Sequence, residues 1–175
     1  MIDIKCTDQF LHKEICNLLY QKNIALSDQS SDFFSQIDIL NNEKNIIVKL
    51  NEDSLIINKP FIFNSFFKKL YLIISNINYL FQGCQYFPYK NTMVFKNKSS
   101  ILSDKHNLIF SNLFFNYNEG INKTNLYKIV WPKDKITHIN KLDTHLTNLK
   151  SQISKDLNLL IEFNSSKGLI KLRIN

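Results

Sequence analysis

Glycine, proline, cysteine and arginine are all scarce in this chain: of 175 residues, three are Gly, three Pro, three Cys and one is Arg. So few glycines exclude Gly-rich loops that cradle phosphates and collagen-like repeats. With proline equally rare, the chain does not read as low-complexity disorder. Cys6, Cys16 and Cys84 are odd in number, and no two form a CxxC pair. Neither a disulfide framework nor a zinc site is expected, and the three thiols read as small buried apolar groups. No apolar run reaches the ~18 residues that span a bilayer. The start, Met1-Ile2-Asp3-Ile4, lacks the basic, apolar and small-residue order of a signal peptide. A cytoplasmic protein that does not meet the membrane is the expectation. Arg173 is the sole arginine against 23 asparagines, a bias that AT-rich codons produce. A lysine here can therefore stand where another protein would use arginine.

What remains is ordinary for a globular protein: 44% apolar and 21% charged residues, in a length that fits one domain or two small ones. The charge is uneven. Residues 1–85 carry 8 Lys against 9 acids, net −1, whereas residues 86–175 carry 13 Lys and Arg173 against 6 acids, net +8. A near-neutral half followed by a basic half suggests a two-part molecule whose second part meets a polyanion.

Hydrophobic spacing supplies the elements. Ile2 and Ile4 alternate as in a strand, and Phe10, Leu11, Ile15, Leu18 and Leu19 repeat as in a helix over 9–22, capped by Thr7 or Asp8. Short strands are predicted at 24–26, 37–40, 46–50 and 54–57, with a polar turn over 27–35. A long helix reads over 64–81, and its apolar set covers more than one stripe. Either it bridges two domains, or it also packs on another chain. Gln82-Gly83-Cys84-Gln85 breaks the pattern and sets the expected boundary, giving domains 1–82 and 86–175. Strands at 93–95 and 100–102, helices at 104–117, 123–130 and 140–154, and a hairpin of strands 159–163 and 169–174 follow. Leu142, Leu146, Leu149 and Ile153 form one continuous face of the last helix.

Three helices and a hairpin make a winged helix-turn-helix order, and the residues carry the likeness further. Ile101-Leu102-Ser103-Asp104-Lys105-His106 resembles the "LT-x-x-E" helix entry of the OmpR/PhoB family of response-regulator effector domains. Asn125-Leu126-Tyr127-Lys128-Ile129-Val130-Trp131 resembles its "E-x-L-x-x-x-V-W" helix. Leu142 to Ile153 is similar to its recognition helix, "V-D-x-H-I-x-x-L-R-x-K-L", and Ile161 to Leu172, with Gly168 at the turn, to its wing. The resemblance implies that Trp131, Asn140, Lys141, His145, Thr147 and Lys150 face DNA phosphates and that Asp143, Thr144 and Asn148 face bases. Lys167 at the wing tip would reach an adjacent groove. A lone Trp between helices, such as Trp131, is more often core, and His145 reads equally as a capped surface residue. Asn148 and Lys150 stand where the family usually has Arg, Gln152 where it has Lys, and Leu169 where it has Tyr. Bidentate guanine reading by Arg is absent from this helix.

In the first half, Ile57-Asn58-Lys59-Pro60-Phe61 followed by Phe63-Asn64-Ser65-Phe66-Phe67 resembles the "T-K-P-F" end of a receiver domain. The joined order is that of a response regulator: a shortened α/β receiver-like domain, then an α+β winged helix. The receiver's chemistry is missing. Cys6 and Thr7 stand where the acidic pair that binds magnesium should be, with Asp8 just after them. Asp38 is the only aspartate near a middle strand end. Asp8 and Lys59 remain as the receiver's remnant, and without a carboxylate cluster no metal site forms. No cofactor and no enzyme activity are expected. The domain's remaining use would be homodimerisation through Phe66, Phe67, Leu70, Tyr71, Ile74 and Ile77. The function expected is a transcription regulator that binds double-stranded DNA as a dimer, independently of phosphorylation. The alternative is an interaction module, a winged helix that binds RNA polymerase or another regulator without reading sequence.

Overall fold

A computed structural model describes residues 2–22, 24, 26, 35–50 and 53–174. The chain forms two compact units, Met1–Ile74 and Ser75–Asn175. The expected boundary at 82–86 is therefore displaced. Gln82 and Gly83, with φ of 48° and 79°, make a tight turn that joins two strands inside the second unit.

In the first unit, β1 (Ile2–Cys6) leads through α1 (Gln9–Gln21) to β2 (Ser35–Asn41), β3 (Asn45–Leu50) and β4 (Asp53–Asn58). Then comes α2 (Phe63–Asn76), which ends just past the unit boundary. The sheet has the order β1-β2-β3-β4. β1 and β2 run parallel, and β2, β3 and β4 run antiparallel. A doubly wound receiver sheet is all parallel, so this topology departs from the one the resemblance implies. The cause is length: a parallel crossover needs a dozen or more residues, and only residues 42–44 separate β2 from β3. Ile2, Ile4, Ile37, Ile39, Ile46, Val48 and Ile57 alternate onto one buried face. Leu11, Ile15 and Leu19 of α1 and Phe66, Phe67, Leu70 and Ile74 of α2 are buried with them. Of the strand expected at 24–26, Ile24 is irregular and Leu26 makes one isolated bridge to Ile2. The turn expected over 27–35 lies, up to residue 34, outside the described residues.

α2 departs from the expected helix in two respects. The helix stops at Asn76, not near 81. Its apparent excess of apolar residues belongs partly to β5 (Tyr79–Phe81), where Tyr79 and Phe81 pack their rings on Phe114. The dimer face is also lost: Phe66, Phe67, Leu70 and Ile74 are buried within this chain, and Tyr71 and Ile77 are half-buried.

The second unit opens with an antiparallel sheet of β5, β6 (Cys84–Phe87), β7 (Thr92–Phe95) and β8 (Lys98–Ile101). Ser103 caps α3 (Asp104–Phe115), its side chain accepting from His106 N. A two-residue strand β9 (Ile121–Asn122) leads into α4 (Lys123–Val130), capped by Asn122. A loop joins it to α5 (Ile139–Leu157), and β10 (Ile161–Ser166) and β11 (Leu169–Ile174) close the unit as a hairpin. Lys167 and Gly168, with φ of 51° and 78°, make its tight turn. β9 pairs with β11 and ties the hairpin to the helices. Gly120 is required at that junction: φ is +81° and an added Cβ would lie 2.8 Å from Lys171 Cγ. Ile109, Phe110, Leu113, Leu126, Leu142, Leu149 and Ile153 centre one core shared by the three helices and both sheets.

Candidate nucleic-acid interface

The second unit presents α5 on an apolar keel. Leu142, Leu146, Leu149, Ile153 and Leu157 are buried, so the side chains between them must face away. Asn140, Thr144, Thr147, Asn148 and Lys150 are exposed there and Asp143 is half-buried. Thr144 and Thr147 donate their hydroxyls back to the carbonyls of Asn140 and Asp143 at 2.9 and 3.0 Å. The result is a helix front of short polar groups.

Its charges are mostly engaged. Asp143 pairs with Lys123 at the start of α4, 2.6 Å away. A carboxylate expected to face bases is thus held by the neighbouring helix. Lys141 pairs with Asp134 at 2.8 Å, and Tyr127 donates to the same carboxylate at 2.5 Å. These two donors hold the Asp134 carboxyl below its usual range, and Asp134 in turn raises Lys141. Lys150 and Lys167 are exposed and make no ion pair among the described residues.

Behind this front is a cluster that spacing along the chain does not reveal. Trp131, at the end of α4, is buried, as the core reading of that residue requires. Yet its Nε1–H has no hydrogen-bond partner, and neither does the buried Nδ1 of His145. The His145 ring lies 5.1 Å from Trp131 and 5.5 Å from His106. Lys141 Nζ sits 4.7 Å from the indole centroid and Lys105 Nζ 6.0 Å from it. His106 itself is hydrogen-bonded to Gln152 at 3.1 Å. Burial, then the neighbouring His106, Lys105 and Lys141, push the His145 imidazole below its ordinary pKa. The Trp131 indole can only donate and the His145 ring is held towards its neutral form, so both nitrogens stay unpaired inside the fold, and the groups of this cluster that can meet an anion at the surface are the ammoniums of Lys105 and Lys141. Lys105 and His106 are not legible as site residues in the sequence, because they lie from 25 to 40 positions before the rest of the cluster.

In the first unit, β1, β2 and β4 run the same way, so their last residues share one end of the sheet. Asp8 and Lys59 lie there, and the Asp8 pKa is lowered first by hydrogen bonds from Leu11 N and Asn41, with the Lys59 charge the smallest contribution. Both are occupied. Asp8 caps α1 through Leu11 N at 2.9 Å and accepts from Asn41 Nδ2 at 2.7 Å. Lys59 donates to the carbonyl of Asn42. The last residue of β2 is thus an amide, Asn41, which cannot accept a phosphoryl group as a carboxylate does. Asp38 lies three residues earlier and accepts from Gln36 at 2.8 Å. No group of three or more metal-ligating side chains occurs among the described residues. No helix among them is long and apolar enough to cross a membrane.

The chain matches no family model and no curated protein.

Proposed function

We propose that the chain is a DNA-binding transcription regulator whose second unit is a winged helix-turn-helix and whose α5 enters the major groove. The observation that carries this reading is the paired arrangement on α5. A front of Asn140, Thr144, Thr147 and Asn148 stands over a buried leucine keel, beside the unpaired Trp131 and His145 nitrogens flanked by Lys105 and Lys141. Short polar side chains are suited to base edges, and ammonium groups beside them are suited to phosphates. The net +8 of residues 86–175 supplies the field that brings a duplex in. The first unit, whose mixed sheet departs from a receiver's, is on this reading a domain without phosphoryl chemistry, so regulation proceeds without phosphorylation. Asn41 at the end of β2 and the structural duties of Asp8 support that. The regulator acts as a dimer in the cytoplasm.

The second reading is an interaction module that binds RNA polymerase or another regulator. It is favoured by one observation: Lys141 and Asp143 are spent on ion pairs, which leaves few free charges on the helix front. Binding to random duplex DNA at graded salt separates the two. A reader that neutralises about three phosphates loses roughly tenfold to a hundredfold in affinity between 50 and 200 mM salt. A flat salt dependence, or no binding at the low-salt end, would establish the interaction module instead.

A further inference from the structure

Among the described residues, β4 is an edge of the first unit's sheet, bonded on one side to β3. The opposite edge, β1, has the Leu26 bridge beside it. Natural edges are commonly guarded by lysine, proline or a bulge, because a bare edge recruits another strand. β4 has none of these between Asp53 and Asn58: its residues pair with β3 one for one. Ile56 on it is 58% exposed, and Asp53, Ser54 and Asn58 are exposed too.

The sequence of this edge is complementary to itself. Asp53-Ser54-Leu55-Ile56-Ile57-Asn58-Lys59 runs acid, polar, three apolar, polar, base. We propose that two copies of the chain associate by antiparallel pairing of β4 with β4, centred on Ile56. Residues 53 and 59 then stand opposite each other twice, giving two Asp53–Lys59 pairs across the two-fold axis. Ser54 meets Asn58, Leu55 meets Ile57, and Ile56 meets its own copy. Facing also agrees, because every opposed pair in this register has the same parity and therefore points to the same side of the sheet. On the open side, Leu40, Ile47 and Ile56 are already aligned across β2, β3 and β4. Pairing extends that apolar row without a break into the second copy. On the buried side, the row Cys6, Ile39, Val48 and Leu55 continues into Ile57 of the second copy. Lys59 donates to the Asn42 carbonyl within its own chain, and pairing requires its long side chain to turn from there to the second copy's Asp53. A register moved by one residue would set polar against apolar on each face and lose both charge pairs. The pairing stands on strand chemistry alone, so a dimer that ignores DNA would sink the regulator reading and leave this one intact.

Sedimentation of the full chain and two charge reversals test it. The wild type is expected to sediment as a dimer at micromolar concentration. D53K and K59D should each weaken association by roughly tenfold, because like charges then face each other twice. The double variant D53K/K59D restores opposite charges and should recover the dimer. A monomeric wild type, or a dimer that single reversals leave unchanged, would overturn the proposal, as would failure of the double variant to recover. Cross-linking checks the register. I56C places two thiols within the ~4.4–6.8 Å Cα range of a disulfide and should form an oxidised dimer. S54C places them about 13 Å apart along the strands and should not; equal cross-linking by both would refute the register.

Discussion

His145 is where burial and charge act on one ring. Its pKa is lowered in the folded chain by burial and by His106, Lys105 and Lys141. A histidine with a depressed folded pKa binds fewer protons folded than unfolded as pH falls through the imidazole range. Stability therefore rises with pH there, and is lost progressively on acidification below the ordinary imidazole value. Removing the titrating ring removes its share of that slope. H145Q should flatten the dependence of the thermal midpoint on pH between 7 and 5, measured against the wild type; an unchanged slope would show that His145 is not the group responsible. DNA should act in the opposite sense. A phosphate seated against His145 favours the charged ring, so affinity for duplex should increase as pH falls over the same interval.

At the scale of elements, α5 separates a buried apolar face from an exposed polar one. Leu149 is fully buried on the keel, and L149A should cost about 2–5 kcal/mol of stability through lost burial and a cavity. Asn148, one residue earlier, is exposed, and N148A should leave the denaturation midpoint within experimental scatter while weakening binding to duplex. Chemical denaturation and DNA titration of the two variants check the split; equal destabilisation by both would mean that Asn148 is part of the packing. This division was legible in the sequence because helical spacing repeats locally, and Ser103 and the leucines of α5 mark their helices without help from distant residues. β5 and β6 were not legible. Ile73 to Phe81 is apolar enough to continue a helical reading, and only pairing with β6 and the rings of Phe114 and Phe115 turn Tyr79–Phe81 into a strand. The Trp131 cluster was half legible: the Trp and His positions followed from resemblance, whereas Lys105 and His106 reach them only through packing of α3 on α5. The antiparallel turn of β3 was foreshadowed by its short connections, although spacing could not say which strands would pair.

The whole molecule couples these two scales through number of copies. One second unit offers few unpaired cations on this side: Lys150 on α5 and Lys167 at the hairpin turn are free of ion pairs among the described residues. Each phosphate contact contributes one step to the salt slope, so on the proposed function a single unit is expected to hold DNA weakly. Two units joined through paired β4 strands would bind with an effective concentration in place of a second free encounter, and avidity of this kind can exceed single-site affinity by about 10²–10⁴. The gain vanishes if the dimer is broken. D53K removes an acid and adds a base in the first unit, which on charge alone should strengthen attraction to DNA. If the dimer carries the affinity, D53K should instead bind a long random duplex at least tenfold more weakly than wild type at equal salt. The D53K/K59D chain has the wild-type net charge and should return to wild-type affinity. Titration of the three proteins on one duplex, at a concentration where sedimentation gives their mass, makes the comparison. Tighter binding by D53K would mean that single units suffice and that charge, not pairing, governs how this chain meets DNA.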